Sequence, residues 1–325
     1  MSELKKIENQ LVMIIGDVMI DRYLTGTVSR ISPEAPVPVV LHKSTDNRLG
    51  GAANVALNVT ALGGQPILCS VVGNDLEGKL FTEMLNEQNI SSSGIIVSDK
   101  RRTTVKTRIL GNNQQMLRID SEDTYDLTKE EESNLTKKII SLLDQQKDIR
   151  VLVLQDYNKG LLTPGLIRKT LLEAKKRGIF TAVDPKKANF YAYEGVDLFK
   201  PNLKEIRESA PFPIVTEDDS LQAACDYVRK KLNNRYTMLT LSEKGLYLDD
   251  RGQGRRYPTL ARNVADVSGA GDTVISIAAM ALAAGIPQET VAWLSNSAGG
   301  QVCEYPGVVP VNKEILEKEL ATAND

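Results

Sequence analysis

Residues 151–185 read VLVLQDYNKGLLTPGLIRKTLLEAKKRGIFTAVDP and carry the clearest information on fold class. The apolar run VLVLQD (151–156) predicts a buried strand, and IFTAVDP (179–185) predicts another. Between them, TPGLIRKTLLEAKKRG (163–178) predicts a helix, with a proline near its start and a glycine at its end. A strand, a helix and a second strand in this order are typical of a parallel sheet, because parallel strands need a crossover connection.

The same alternation continues on both sides of this stretch. Further strands are predicted at LVMIIGD (11–17), PILCSVVG (66–73), VDLFKP (196–201) and YTMLTL (236–241), and further helices at 52–63 and 75–89. We therefore predict an α/β fold, a three-layer α/β/α sandwich with a mostly parallel central sheet. In such sheets, ligands bind beyond the carboxyl ends of the strands.

Two segments interrupt the alternation. VPVVLHK (37–43) and TTVKTRILGNNQQMLRID (103–120) predict short strands without intervening helices, and the Gly-Asn-Asn in the second segment predicts a turn. We expect a single domain over residues 1–325 with a small antiparallel β lid, formed by segments near 22–43 and 101–120. A flap over a pocket or a dimer face is the favoured use of this lid. A simple extension of the sheet edge is the alternative.

Composition and charge exclude several classes of function. Of the 325 residues, 42% are hydrophobic and 25% are charged, which is typical of a soluble globular protein. The formal net charge of -2 argues against a general nucleic-acid binder. The three cysteines form no CxxC pair, and the apolar run at 11–15 is too short to span a membrane. We expect a cytoplasmic protein without a membrane partner. The segment VPVVLHKS around His42, the sole histidine, predicts an edge strand, and no nucleophile motif lies nearby, so a catalytic role for His42 is not expected.

The strongest functional signal is DVSGAGDTVISIAAMALAAG (266–285). Gly269, Ala270 and Gly271 lead straight into a long apolar helix. Free backbone N–H groups and the positive end of the helix dipole make such a turn an anion hole, suited to the charge on a transferred phosphoryl group. A carboxylate beside it, Asp272, could take a proton from an attacking hydroxyl. On spacing alone, a helix cap explains Asp272 equally well.

A second glycine-rich site lies near the start of the chain, in RLGGAANVALNVTALGG (48–64). Gly50 and Gly51 let a ligand approach the backbone, and Asn54 in the early turn of the helix offers both a donor and an acceptor. A plain helix start would explain this motif alone. The presence of two such sites in one α/β chain favours a binding function.

These two regions resemble the signature regions of ribokinase-like (PfkB-type) carbohydrate kinases. The likeness extends through most of the chain to further motifs, namely GDVMID (16–21), GNDLEG (73–78), DP (184–185), KPNLKE (200–205) and TLSEKG (240–245). The resemblance implies the ribokinase-like fold and a transfer of phosphate from ATP to a sugar hydroxyl. It also implies Mg²⁺ as a cofactor, with a monovalent cation as a further expectation.

The resemblance assigns roles to individual residues. Asp272 matches the catalytic base, and Gly269, Ala270 and Gly271 match the anion hole. Asn202 and Glu205 match an NxxE motif that helps to organise Mg²⁺, through water, and the triphosphate, although on the residues alone a helix cap is preferred. Ser242 and Gly245 match positions that hold the nucleotide. The remaining sugar-binding candidates match family positions or end a strand on the ligand side, and they are Asp17, Asp21, Gly50, Gly51, Asn54, Asp156 and Lys159.

The resemblance narrows to one subgroup. GDVMIDRYLTGTVSRISPEAPVPVV (16–40), TTVKTRIL (103–110), LRID (117–120) and QDYNKGLLT (155–163) are similar to segments of D-glycero-β-D-manno-heptose 7-phosphate kinases. Those enzymes phosphorylate the anomeric hydroxyl and give the 1,7-bisphosphate for lipopolysaccharide core assembly. Many carry a second, nucleotidyltransferase domain with an HxGH motif, which this sequence lacks. We expect the kinase half alone, with a separate nucleotidyltransferase in the same pathway.

A sugar 7-phosphate requires cations for its recognition. The candidates from subgroup segments are Arg30, Lys106 and Arg108. Lys186 and Lys187, in the turn after residue 185, could meet either this phosphate or the phosphates of ATP, and Lys186 is assigned to ATP. A solvated charge is the alternative for each of the five. Two other functions stay open, a kinase for another sugar such as fructose 6-phosphate or ribose, and a non-catalytic sugar-phosphate sensor on the same fold. We expect a homodimer that associates through the lid.

Overall fold

The computed structural model describes residues 3–260 and 262–323. The strands within these ranges are β1 (Leu11–Gly16), β2 (Val18–Ile31), β3 (Pro38–Gly51), β4 (Gln65–Gly73), β5 (Gly94–Ser98), β6 (Val105–Gly111), β7 (Gln114–Ser121), β8 (Ile149–Gln155), β9 (Phe180–Asp184), β10 (Leu198–Phe199), β11 (Tyr236–Thr240), β12 (Leu246–Asp250) and β13 (Gln253–Tyr257). The helices are α1 (Ala52–Ala61), α2 (Leu76–Glu87), α3 (Lys129–Gln145), α4 (Pro164–Lys176), α5 (Leu203–Ser209), α6 (Asp218–Leu232), α7 (Ala270–Ala283), α8 (Gln288–Cys303) and α9 (Lys313–Ala323).

Nine of these strands form one central sheet in the order β13-β12-β11-β10-β9-β8-β1-β4-β5. The pairings from β11 across to β5 are parallel, and only β12 and β13 at one edge are antiparallel. The predicted α/β fold with a mostly parallel sheet is therefore confirmed. Register places Gly16, Gln155 and Asp184 side by side at the carboxyl ends of three neighbouring strands.

Helices cover both faces of this sheet. Strand β1 requires such cover, because its side chains are apolar on both faces. Val12 and Ile14 pack on one side with residues of α1, α7 and α8, whereas Met13 and Ile15 pack on the other side with residues of α3, α4 and α6. All four side chains are fully buried. Alternate residues of one strand thus enter two separate hydrophobic cores, as a three-layer arrangement requires. Across residues 3–260 and 262–323, no helix combines the length and the apolar character that a bilayer span needs.

The predicted lid is a separate sheet of four strands in the order β3-β2-β6-β7. Its two hairpins, β2–β3 and β6–β7, are antiparallel, but the central pair β2–β6 is parallel, so the expectation of an antiparallel lid needs this correction. The chain passes through α1, β4, α2 and β5 between the hairpins. This long crossover brings β6 into the lid in the same direction as β2. His42 lies exposed on the edge strand β3, as predicted.

Candidate active site

Helix α7 begins directly after Gly269, whose backbone is left-handed with a φ of 80°. Glycine suits this position because a Cβ would be strained there. A Cβ on Gly269 would also lie only 2.7 Å from Nδ2 of Asn54. The turn at 269–271 lies at the start of a 14-residue helix, where backbone N–H groups and the positive end of the helix dipole favour an anion. The N–H of Ala270 also donates to the carbonyl of Val267 at 3.4 Å.

The carboxylate of Asp272 is buried and accepts three hydrogen bonds from side chains. Asn54 Nδ2 donates to Oδ2 at 2.8 Å, and on Oδ1 Gln155 Nε2 donates at 2.9 Å and the Tyr157 hydroxyl at 2.7 Å. These donors come from α1 and from the end of β8, and none is a backbone group of α7. The contacts of Asp272 thus give no support to a helix-capping role.

The surroundings of Asp272 raise the pKa of its carboxyl group towards neutral pH. Burial raises the pKa of Asp272 to about 7. The hydrogen bonds from Asn54 and Tyr157 oppose this rise in pKa, the Asp184 carboxylate adds to it, and the Lys200 ammonium group opposes it. A general base is most effective when its pKa lies near the working pH. Asp272 therefore has the environment of a group that exchanges a proton.

A second buried carboxylate, Asp184, lies beside the first at the end of β9. Lys200 Nζ is 3.1 Å from Asp184 Oδ2, and both side chains are almost fully buried. Gln155 Nε2 lies 3.3 Å from the same oxygen, so its amide bridges Asp184 and Asp272. A Cβ on Gly271 would lie 3.8 Å from Lys200 Nζ. A buried cation therefore stands next to the turn at 269–271.

Asp17 and Asp156 hold the loop that follows β8. Asp156 accepts a hydrogen bond of 2.7 Å from the Tyr193 hydroxyl. Burial, together with the nearby Asp156, raises the pKa of Asp17 to about 6. Sugar binding by these two residues stays a prediction, because their oxygens already bind the loop. Asp17 accepts the backbone N–H groups of three loop residues at 2.9, 3.1 and 3.2 Å, and these are Tyr157, Lys159 and Leu161.

Asn202 and Glu205 form a capping box at the start of α5. Asn202 Oδ1 accepts the N–H of Glu205, and Glu205 Oε2 accepts the N–H of Asn202, both at 2.8 Å. The structural explanation of this pair is therefore correct, and it does not exclude a further role. The other oxygen of Glu205 binds Lys186, whose Nζ also lies 3.8 Å from Asp184. Lys186 thus links the NxxE motif to the buried carboxylates.

Ser242 and Gly245 lie in a tight turn beyond the carboxyl end of β11. Both have positive φ values, of 55° and 84°. Thr240, the last residue of β11, forms a bridge with Asn202, so this turn and the capping box lie at the same edge of the sheet. The predicted nucleotide residues thus share one side of the site.

Lid strand β6 places Lys106 over the loop after β8. Its Nζ lies 6.0 Å from the centre of the Tyr157 ring, and it makes no ion pair within the described residues. Burial and the nearby Lys159 lower the pKa of Lys106, against the opposing charge of Glu122. Lys159 itself pairs with Glu122 at 2.6 Å and is not a solvated turn residue. Lys106 is therefore the lysine here that keeps its charge available for a ligand.

Arg108, two residues further along β6, is already paired with Asp21 of β2. Its guanidinium lies 5.2 Å from the centre of the Tyr23 ring. Gly50 packs against Asp21, where a side chain would not fit. These contacts form the root of the lid, and a role in ligand binding stays a prediction for Asp21, Arg108 and Gly50.

Two predicted cations lie away from these groups. Arg30 is exposed at the far end of β2, nine residues along the strand from Asp21. Lys187 is also exposed, and its closest carboxylate, on Glu208, is 3.9 Å away. The structure does not bring either residue to Asp272.

Sequence reasoning did not assign a role to four polar groups of the site, namely Gln155, Tyr157, Asp184 and Lys200. Gln155 and Tyr157 flank Asp156, which was a candidate because it ends a strand on the ligand side. If the residues directly before and after Asp156 had been counted with it at the end of the strand, both Gln155 and Tyr157 would have been candidates.

The model of the pfkB family carbohydrate kinases matches residues 9–314 of this chain. Bifunctional protein HldE of Methylobacillus flagellatus is 40% identical over 312 residues, which cover 95% of this chain and 63% of that protein. Bifunctional protein HldE of Geobacter sulfurreducens is 40% identical over 290 residues, which cover 89% and 58%. The chain thus spans about three fifths of the length of these curated relatives.

Solved structures of low sequence identity share the fold. Phosphofructokinase-2 from Escherichia coli in complex with potassium superposes with a TM-score of 0.78 at 18% identity, covering 98% of this chain and all of that chain. Ribokinase of Arabidopsis thaliana complexed with ribose and ATP superposes with a TM-score of 0.73 at 18% identity, covering 96% and 99%. The predicted ribokinase-like fold is confirmed by these similarities.

Proposed function

The chain belongs to the pfkB family of carbohydrate kinases, and from this we propose that it transfers the γ-phosphoryl group of ATP to the anomeric hydroxyl of D-glycero-β-D-manno-heptose 7-phosphate. One observation carries the proposal: a buried carboxylate, Asp272, stands beside an anion-binding turn with a pKa of about 7. A sugar-phosphate sensor has no need of such a group.

The heptose assignment rests on where the subgroup segments lie. Residues 16–40 contain all of β2 and the start of β3, and residues 103–110 contain most of β6. Residues 117–120 lie in β7, and residues 155–163 form the loop that carries Tyr157. The loop reaches Asp272 through the Tyr157 hydroxyl, and β6 brings Lys106 to the Tyr157 ring. The identity of about 40% to proteins named HldE supports the same assignment.

The proposed reaction is a direct in-line transfer. The anomeric oxygen forms a bond to the γ-phosphorus, the bond from that phosphorus to the bridging oxygen of ADP breaks, and the hydroxyl proton passes to Asp272. The N–H groups at 269–271 and the positive end of α7 stabilise the charge that develops on the phosphoryl oxygens. No phosphoenzyme is required, because the site positions both reactants.

The nucleotide side of the site fits a magnesium ion held by phosphates and water better than one held by side chains. The oxygens of Asn202 and Glu205 are already engaged in the capping box and the Lys186 pair. In the chain as described, no three acidic, histidine or cysteine side chains are grouped for a metal. Mg²⁺, when bound with ATP, supplies neutralisation of phosphate charge. Lys186 would then face the triphosphate, with Ser242 and Gly245 near the nucleoside.

Three further features belong to this proposal. A homodimer associates through the lid, the protein acts in the cytoplasm, and a monovalent cation supports turnover. The last point takes its support from the phosphofructokinase-2 structure that contains potassium, which shares the fold.

The proposal is tested by ATP turnover with heptose 7-phosphate, fructose 6-phosphate and ribose as parallel acceptors. We expect selective turnover of the heptose, rising through about pH 7 as Asp272 loses its proton. Asp272→Asn should lower kcat by at least about 100-fold, the usual contribution of a positioned base. Asp144→Asn, the same change at an exposed site on α3, should leave kcat unchanged.

Each other result has a definite meaning. Preference for fructose 6-phosphate or ribose would keep the fold and the base but overturn the heptose assignment. Turnover that survives in Asp272→Asn would overturn the role of Asp272. Absence of turnover with all three acceptors, in the presence of sugar-phosphate binding, would favour the sensor.

A further inference from the structure

The two oxygens of the Asp272 carboxylate differ in how many hydrogen bonds they can still accept. Each carboxylate oxygen has room for about two donors. Oδ1 accepts both Gln155 Nε2 and the Tyr157 hydroxyl, whereas Asn54 Nδ2 is the one side-chain donor to Oδ2 among residues 3–260 and 262–323. Oδ2 therefore retains the open position, and it is the oxygen that a third partner can reach without displacing a donor.

Tyr157 is held in place by its backbone as well as by its hydroxyl. Its N–H donates to Asp17 Oδ2 at 2.9 Å, and the N–H groups of Lys159 and Leu161 donate to the same buried carboxylate. The neighbouring Asp156 accepts a hydrogen bond of 2.8 Å from the N–H of Asn158. Four backbone N–H groups of this loop are thus bound to the two carboxylates, which fixes the backbone that carries the phenol.

Two ammonium groups lie close to the aromatic ring. Lys106 Nζ, from the lid, is 6.0 Å from its centre, and Lys186 Nζ, from the nucleotide side, is 5.8 Å away. Both distances are within the range of cation–π attraction. The ring of Tyr157 therefore contacts the lid, the nucleotide side and, through its hydroxyl, the carboxylate of Asp272.

We propose that Tyr157 is a positioning residue for Asp272: its hydroxyl occupies Oδ1, directs the acceptor hydroxyl to Oδ2, and favours the ionised form of the carboxylate. The role rests on the proposed function, because it concerns the base of that reaction. A donor to a carboxylate stabilises the charged form, so its loss makes the carboxylate easier to protonate.

The other groups that face Asp272 remain in place when only the phenol oxygen is removed. They are Asn54 from α1, Gln155 from β8, Asp184 from β9, Lys186 after β9 and Lys200 after β10. Tyr157→Phe changes none of these charges. Any change in the titration of Asp272 would then report the lost hydrogen bond.

The test compares Tyr157→Phe with Tyr193→Phe. Both changes remove a phenol that donates to a buried carboxylate at 2.7 Å, but Tyr193 binds Asp156 and not Asp272. The pH dependence of kcat/KM for the sugar phosphate reports the base in the free enzyme. For Tyr157→Phe we expect the acid limb to move up by about one pH unit, since one unit corresponds to a modest charged hydrogen bond. The loss should reach about tenfold at pH 6 and vanish at high pH. The acid limb of Tyr193→Phe should coincide with that of the wild type.

A purely structural role for Tyr157 predicts a different result, an equal loss of kcat/KM at every pH with an unmoved acid limb, and that result would overturn the proposal. A second measurement needs no turnover: ¹³C NMR of protein labelled at the aspartate carboxyl carbon, with the Asp272 signal assigned by its loss in Asp272→Asn. Its titration midpoint should rise in Tyr157→Phe alone. A rise without any turnover of sugar phosphates would overturn the proposed function and keep only the effect of Tyr157 on the charge of Asp272. An unmoved midpoint would overturn the role of Tyr157 alone.

Discussion

At the residue scale, two glycines near the ends of α7 differ in what a side chain would meet there. At one of them a side chain would only strain the backbone, and at the other it would also clash with a neighbouring residue. Gly269 and Gly285 both have left-handed backbones, with φ values of 80° and 69°. A Cβ on Gly269 would press on Asn54, a donor to Asp272, whereas a Cβ on Gly285 would meet nothing within 4 Å. The first glycine therefore serves the site as well as the backbone.

We predict that Gly269→Ala and Gly285→Ala each lower the free energy of unfolding by about 1 kcal/mol, because both place a side chain at positive φ. Only Gly269→Ala should also lower kcat, by about tenfold or more, since it displaces Asn54 from Asp272. Urea denaturation and steady-state kinetics measure the two effects. Equal kcat values in the two variants would contradict the prediction.

Residues of the site differ in how far the sequence alone could reveal them. Asp272, Asn54 and the glycines stand in glycine-rich turns before helices, a local pattern that can be read directly. Tyr157 and Gln155 bind Asp272 across more than 110 residues of chain. Such contacts depend on which strands become neighbours, and no local spacing encodes them.

At the element scale, the lid places the positive charge of a lysine near the site. Strand β6 carries Lys106, which lies over Tyr157 and makes no ion pair within the described residues, while its neighbour Arg108 is paired with Asp21. One strand thus combines a structural cation with an available one. An available cation beside a sugar site is suited to a phosphate group.

Lys106→Gln should therefore raise KM for the sugar phosphate by about tenfold, a typical cost for one charged hydrogen bond, with little change in KM for ATP. Lys43→Gln removes the same charge from an exposed position on β3 of the lid and should change neither constant. Initial-rate kinetics with each substrate varied in turn gives both values. Equal rises in the two KM values would remove Lys106 from the phosphate site.

Six strands of the central sheet, β1, β4 and β8 to β11, were predicted, whereas its edge strands β5, β12 and β13 were not. The lid was predicted only in part. β1 and β8 are short apolar runs bounded by polar residues, which periodicity identifies. β2 and β3 each extend over 14 residues, and their mixed sequence gives no sign of that length. The parallel pairing of β2 with β6 follows from the crossover between them, which is a property of the whole chain.

At the scale of the whole molecule, the lid bears apolar side chains that face solvent. Leu41, Leu117 and Ile119 are 67%, 54% and 48% exposed. Leu117 and Ile119 alternate along β7 and share one face of that strand, whereas Leu41 lies on β3 at the opposite edge of the sheet. An exposed apolar face is typical of an association surface. This observation supports the proposed homodimer through the lid.

We predict that Leu117→Lys weakens dimerisation by at least about tenfold, because it places a charge in an apolar contact. Leu172→Lys, on α4, changes a leucine of similar exposure, 52%, outside the lid and should leave association unaltered. Sedimentation equilibrium distinguishes the two. A monomeric wild-type protein, or equal dissociation constants for both variants, would contradict a dimer through this surface.

A single residue, Asp17, separates β1 of the central sheet from β2 of the lid, and its carboxylate is bound by three loop amides. The lid is thus held firmly at the end where β2 leaves the central sheet. Further out, the pairing of β2 with β3 shifts between Thr25 and Gly26, and that of β6 with β7 shifts between Ile109 and Leu110. Thr25 and Leu110 are themselves partners, so the irregularities align in a crease across the sheet. We expect the outer part of the lid to bend at this crease, so that the inner part of β6 keeps Lys106 beside the Tyr157 ring.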